Sequence, residues 1–243
     1  MKIDFDTIPR AQLEAMLEAG QHVIECHRIL ARTGDTIVGE LLKTEDDFFE
    51  WEHYPDDDVR DEESHSQYFY HAHSLDDRGG EHGHFHTFLR QEGMPDGIEP
   101  ADILKPDDDE DMDYDDLSHL ICISMNKHSL PQKLFTVNRW VTGETWYKAE
   151  DVIQMLDRFE IDHAQPSWPV NIWVTCMMRL FRPQIEKLIR ERDKAIAKWQ
   201  AEHPDKIVYE TRDEEIEVPS ICEIDIDVQV AAIQKALEKQ EER

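Results

Sequence analysis

Cysteine, glycine and basic residues are all scarce in this chain, and each shortage narrows what it can be. Its 243 residues include four cysteines, Cys26, Cys122, Cys176 and Cys222, with no Cys-x-x-Cys pair. Such spacing offers neither a disulfide framework nor a zinc knuckle, so reduced core thiols are expected. Lys and Arg together number 26 against 55 Asp and Glu, a formal net charge of −29. Phosphate backbones and anionic lipid surfaces are held by clustered cations, which leaves neither nucleic acid nor membrane as an expected partner. The most apolar stretch, Pro169 to Met178, is too short to cross a bilayer and is followed by Arg179. Met1 to Asp6 shows no basic and apolar leader pattern, so the expected compartment is the cytoplasm. The nine glycines build no phosphate loop, dinucleotide fingerprint or Gly-x-Ser-x-Gly elbow.

Acid is what the chain has in excess, and it is unevenly placed. Residues 1–120 hold 33 carboxylates and 9 bases, a net −24 of the −29. The densest run, Asp107 to Asp116, repels itself and is expected to be a solvated loop spanning about residues 100–116, dispensable for any chemistry. Asp111, Asp113 and Asp115 resemble the start of a calcium loop, but Asp116 stands where glycine is needed and Cys122 where the bidentate glutamate belongs.

The densest chemistry lies in the histidines. His71, His73, His82, His84 and His86 fall within sixteen residues, in two segments that alternate like strands. Neutral imidazole is the commonest protein ligand of transition metals and also titrates nearest neutral pH. Alternate strand residues share a face, which places His82, His84 and His86 together, with the outer two about 13 Å apart at Cα. One strand therefore supplies too few ligands for one ion. A hairpin closed by Ser74 to Glu81 supplies the rest if His73 pairs with His82, His71 with His84 and Phe69 with His86, because paired Cβ atoms lie roughly 5 Å apart. A slip of one residue would send the two clusters to opposite faces.

The coarse architecture is α+β within one domain, residues 1–243. A helix begins after Asp6-Thr7-Ile8-Pro9 and stops at Gly34, with His27 on its apolar stripe and Glu25 on another face. Phe48 to Tyr54 has the aromatic content of a first strand ended by Pro55. The histidine hairpin follows, then Leu117 to Met125, with His119 on its apolar face, and a return over Lys133 to Thr142. These make an antiparallel meander of about five strands. From about Ala149 the pattern turns helical, in a long region that Arg182-Pro183 should kink or divide, and Ile216 to Val228 alternates again around Pro219. Between Arg179 and Lys198 seven bases face three acids, a surface suited to docking near the acidic half or to an anionic substrate.

His82-Gly83-His84-Phe85-His86-Thr87-Phe88 resembles the signature of the histidine-triad nucleotide hydrolases and transferases, a resemblance that implies His84 as nucleophile toward an α-phosphate. The same residues resemble the His-x-His metal motif of cupin barrels. As a whole the chain resembles uncharacterised bacterial proteins, which implies no activity. The residues themselves favour a metal-dependent enzyme acting on a small molecule, with zinc or iron held by His71, His73, His82, His84 and His86 and completed by Glu25 or Glu81. Hydrolysis and oxygen chemistry both suit such a centre. Glu144 and His163, in loops at element ends, are candidate catalytic acids or bases. The alternatives are a non-catalytic metal buffer or sensor, a histidine-triad-like nucleotide hydrolase, and an acidic interaction module whose histidines act as a pH switch.

Overall fold

The computed structural model describes residues 1–43, 47–72, 80–103 and 116–242. His73 and the acidic run Asp107 to Asp115 lie outside the described residues. Of the expected loop, Ala101 is described and bonds through its amide to the Trp146 carbonyl at 2.8 Å.

Six strands among the described residues form one antiparallel sheet in sequence order: β1 (Tyr54–Arg60), β2 (Ser66–Ala72), β3 (Glu81–Arg90), β4 (Leu117–Asn126), β5 (Pro131–Thr136) and β6 (Ser220–Glu223). The class is α+β, with one strand more than the expected five. The first strand begins where the aromatic run ends: Phe49 and Trp51 are exposed, and the chain enters β1 at Tyr54 and continues through Pro55. A proline is compatible with this position because β1 is an edge strand, paired on one side only. The sixth strand follows Pro219 and closes the opposite edge.

The helices are α1 (Arg10–Ala31), α2 (Ile37–Leu41), α3 (Arg139–Thr142), α4 (Ala149–Met155), α5 (Trp168–Leu180), α6 (Arg182–Glu202), α7 (Glu214–Glu217) and α8 (Ile226–Glu241). Pro183 sits in the first turn of α6, where its missing N–H costs nothing, so the long helical region divides into α5 and α6 at Phe181. The bases of α6 pair with acids, Arg182 with Asp157 and Glu186, Arg190 with Glu150. They serve docking between helices. Among the described residues no helix is long and apolar enough to cross a membrane.

Helix α5 covers one face of the sheet. Tyr68, Tyr70, Phe85, Ile121, Ile123 and Met125 point into this buried core with Val170, Trp173 and Val174. Trp173 is fully buried against Phe85, with ring centroids 5.4 Å apart, and side chains buried so completely contribute about 1.5–3 kcal/mol each. Its indole donates to His27 Nε2 at 2.9 Å. His27 is thus a hydrogen-bonded core histidine, and α1 packs on α5 and α8, away from the sheet.

The opposite face carries the histidines, and two β-bulges decide which. The β2–β3 register pairs His71 with His84 and Phe69 with His86, as the alternation predicts. Between β3 and β4, however, Glu81 pairs with Asn126 and Gly83 with Met125, so β3 holds one extra residue. The bulge turns Glu81 toward His84 and His82 away, to Tyr70 on the core side. A second shift, between the Thr87–Ile121 and Phe88–His119 pairs, gives β4 the extra residue and turns His119 onto the histidine face. Gly83 is required here: a Cβ at this position would lie 2.3 Å from the His71 carbonyl oxygen and 2.5 Å from the Tyr70 hydroxyl.

Candidate metal centre

Among the described residues, two groups of side chains bring ligand atoms within 4.8 Å of one another: His71, His84 and His86, and His86, His119 and Cys122. All but His71, which is half-buried, are buried. His84 Nε2 lies 2.9 Å from His86 Nε2, and His86 Nδ1 lies 3.2 Å from His119 Nε2. Cys122 Sγ is 3.3 Å from both His86 Nδ1 and His119 Nε2. Nitrogen and sulfur ligands bonded to a shared ion lie about 3–3.6 Å apart, depending on the coordination angle. The spacing of the donors thus matches the edges of a coordination polyhedron, and the donor types suit zinc or iron.

A carboxylate orients one of the two rings that line the cleft. The Glu81 carboxylate accepts from His84 Nδ1 at 2.7 Å and from the Ser124 hydroxyl at 2.5 Å; Gln132 in turn donates to Ser124 at 3.1 Å. With its Nδ1 proton on Glu81, His84 turns its Nε2 lone pair toward the cluster, the tautomer a ligand needs. Glu81→Gln keeps the shape but replaces the anionic acceptor, and metal affinity is expected to fall about 10–100-fold. Competition against a chelator of known affinity measures this; unchanged affinity would show that Glu81 does not set the ligand orientation.

Two of the rings, His86 and His119, are held neutral. Burial, followed by the neighbouring His84, His119, His71 and His53, lowers the His86 pKa well below the ordinary histidine value. Burial, with Arg192 and His84 adding to it, pushes His119 down to about 3. Unprotonated imidazoles have lone pairs available to a cation at neutral pH. Aromatic side chains pack the rings in place: Phe69 stacks on His86 at 4.8 Å and on His53 at 3.6 Å between centroids.

A cleft of about 900 Å³ opens over His71, Glu81 and His84. Trp51, Phe135, Trp140 and Val218 are among its apolar walls, and Lys133, Glu214 and Glu217 join Glu81 as its charged groups. The Trp140 Nε1 is buried without a hydrogen-bond partner among the described residues.

Of the residues expected from sequence, the fold brings together His71, His84, His86 and Glu81. His82 is diverted by the bulge, where its Nδ1 meets the Tyr70 hydroxyl at 2.6 Å. Glu25 is exposed on α1 and paired with Arg28 at 2.6 Å; it lies across the helical layer from the histidine face. Glu144 is buried and accepts the His119 backbone N–H at 2.5 Å. Burial raises its pKa to about 7, against the opposing influence of Arg192 and the His119 amide. It therefore stands behind a ligand and does not line the cleft. His163 bonds to the Arg60 carbonyl at 3.1 Å, in a separate cleft shared with Asp61 and Glu160. The two donors not included in the expected ligand set are His119 and Cys122. Their three-residue spacing on a strand puts them on opposite faces unless a bulge intervenes, and no residue in Leu117 to Asn126 announces one.

Fold and site together define an α+β protein whose sheet carries a buried histidine and cysteine cluster able to hold a metal ion. Residues 17–224 match the family described as a domain of unknown function, DUF6969, and the chain belongs to that family. No curated protein and no solved structure matches it.

Proposed function

We propose that the protein is a metal-dependent enzyme acting on a small molecule, with zinc or iron held by His71, His84 and His86. The observation that carries this proposal is the placement of the three imidazoles: two ligands line the floor of an open cleft, and His84 is oriented by Glu81. A buffering site needs no such cleft, whereas a catalytic one keeps a coordination position facing its substrate. A divalent ion here supplies Lewis acidity or a seat for oxygen. Trp51, Phe135 and Trp140 offer apolar contact to a substrate, and Lys133 offers polar contact. The histidine-triad alternative has less support: His84 is buried, its Nδ1 meets Glu81 and its Nε2 meets His86, so neither nitrogen is free to attack a phosphate.

Elemental analysis of protein purified without a polyhistidine tag is expected to find at least one equivalent of zinc or iron per chain. Azide added to the cobalt-loaded protein is then expected to shift the visible cobalt bands, by entering the coordination position that faces the cleft. No stoichiometric metal would overturn the proposal. Metal that ignores azide would make the centre a closed, non-catalytic site.

A further inference from the structure

His86 belongs to both donor groups through different atoms. Its Nε2 faces His84 Nε2 at 2.9 Å, while its Nδ1 faces His119 Nε2 at 3.2 Å and Cys122 Sγ at 3.3 Å. The two ring nitrogens of an imidazole point away from each other, so one ion cannot use both. The donors on the two sides also differ: imidazoles beside the cleft, an imidazole and a thiol on the inner side.

We infer that the centre binds two divalent transition-metal ions bridged by the His86 ring, an outer ion on His71, His84 and His86 Nε2 and an inner ion on His86 Nδ1, His119 and Cys122. This rests on the proposed metal reading of the same histidines. Binding of the pair displaces the Cys122 thiol proton and the single N–H proton of the His86 ring, and both pass to solvent. The bridge is then an imidazolate and the sulfur a thiolate, so two dipositive ions meet two new anionic ligands. Glu81, bonded to His84, brings a further negative charge to the outer side. A thiolate is a soft ligand that favours zinc or cobalt over magnesium or calcium.

The inner ion has a different task from the outer one. His86, His119 and Cys122 are all buried, and none of them lines the cleft. An ion there has no path for substrate, so it acts on the outer ion through the shared ring. By holding the far nitrogen of His86, it fixes the ring, and with it the position of the outer ion. Cys122 and His119 are therefore positioning residues for the proposed chemistry.

Cobalt(II) titration of the metal-free full chain tests this, because a cobalt–thiolate bond gives a near-ultraviolet charge-transfer band that cobalt–imidazole bonds lack. Two equivalents are expected to bind, with the thiolate band growing as the inner site fills. Cys122→Ser is expected to lose the band and His119→Ala one of the two equivalents, while both keep the visible bands of the outer ion. One equivalent without a thiolate band would overturn the bridged pair yet leave the single-ion reading standing. One equivalent with the band would also overturn it, by placing the ion on Cys122. No bound cobalt would overturn the metal reading itself. The wild-type titration decides among these outcomes without any variant, so a substitution that fails to fold does not shelter the inference.

Discussion

His86→Ala is expected to strip the protein of tightly bound metal while leaving its secondary structure intact. His86 is the one residue common to both donor groups, so its removal leaves at most two strong donors on either side. Structural zinc sites bind with about 10–16 kcal/mol from four ligands, or about 3 kcal/mol per ligand. Loss of one ligand therefore costs about 100-fold in affinity, and more where the ring serves two ions. The fold has less at stake, because the ring lies on the sheet face opposite the large helical core. Elemental analysis and far-ultraviolet circular dichroism of the tag-free variant read the two effects separately. Undiminished metal in a folded His86→Ala protein would remove the centre from this face of the sheet.

The second large effect is on acid stability, and it is expected in the metal-free protein. His86 and His119 are neutral in the folded state well below the pH at which histidines of an unfolded chain take up protons, about 6.5. The unfolded state thus binds more protons, and stability falls as pH drops below about 6.5, continuing toward the folded pKa, about 3 for His119. His119 contributes a loss of about 1.4 kcal/mol per pH unit in that window, and His86 adds a loss in the same direction. Glu144 acts in the other direction. Its folded pKa of about 7 lies above the ordinary carboxylate value, so the folded state gains stability as pH falls from about 7 toward about 4.5, again about 1.4 kcal/mol per unit. Two histidines outweigh one carboxylate. A net loss of stability is expected as pH falls below about 6.5, steepening below about 4.5, where the opposing contribution of Glu144 ends. Urea midpoints of chelator-treated protein across this range test it. Bound metal should hold the midpoint up until protons compete for the ligands. A flat profile for the metal-free protein would mean that the buried rings already carry protons.

Much of the hairpin is legible in the sequence alone. Alternation in Tyr68 to Ala72 and Gly83 to Phe88 fixes which residues share a face, and only one register places His71 beside His84 and Phe69 beside His86. The division of the long helix at Pro183, the stop at Gly34 and the more nearly balanced charge of the C-terminal half are likewise written in residue chemistry. Phe48 to Tyr54 misled because aromatic content speaks for burial against a sheet without saying where the strand begins. The alternation of Ile216 to Val228 marked the sixth strand but not its length, because only Ser220–Glu223 pairs with β5 and the chain turns helical at Ile226.

The ligand set depended on more than alternation. A β-bulge shifts every residue beyond it to the other face, and its position depends on how Tyr70 packs under Gly83 and how β4 follows β3, contacts between residues far apart in the chain. Those two bulges removed His82 from the face, brought Glu81 onto it, and delivered His119 beside Cys122. Tertiary packing likewise put α1, with Glu25 and His27, on the far side of α5, since the apolar stripe of a helix specifies that it is buried but not against which layer. The sequence by itself determined that histidines would crowd one face of an antiparallel hairpin, because period-two alternation is a local property of the chain. Only the tertiary structure decided which histidines, and which thiol and carboxylate, meet there, because a bulge and a helix's choice of layer are settled by packing between distant residues.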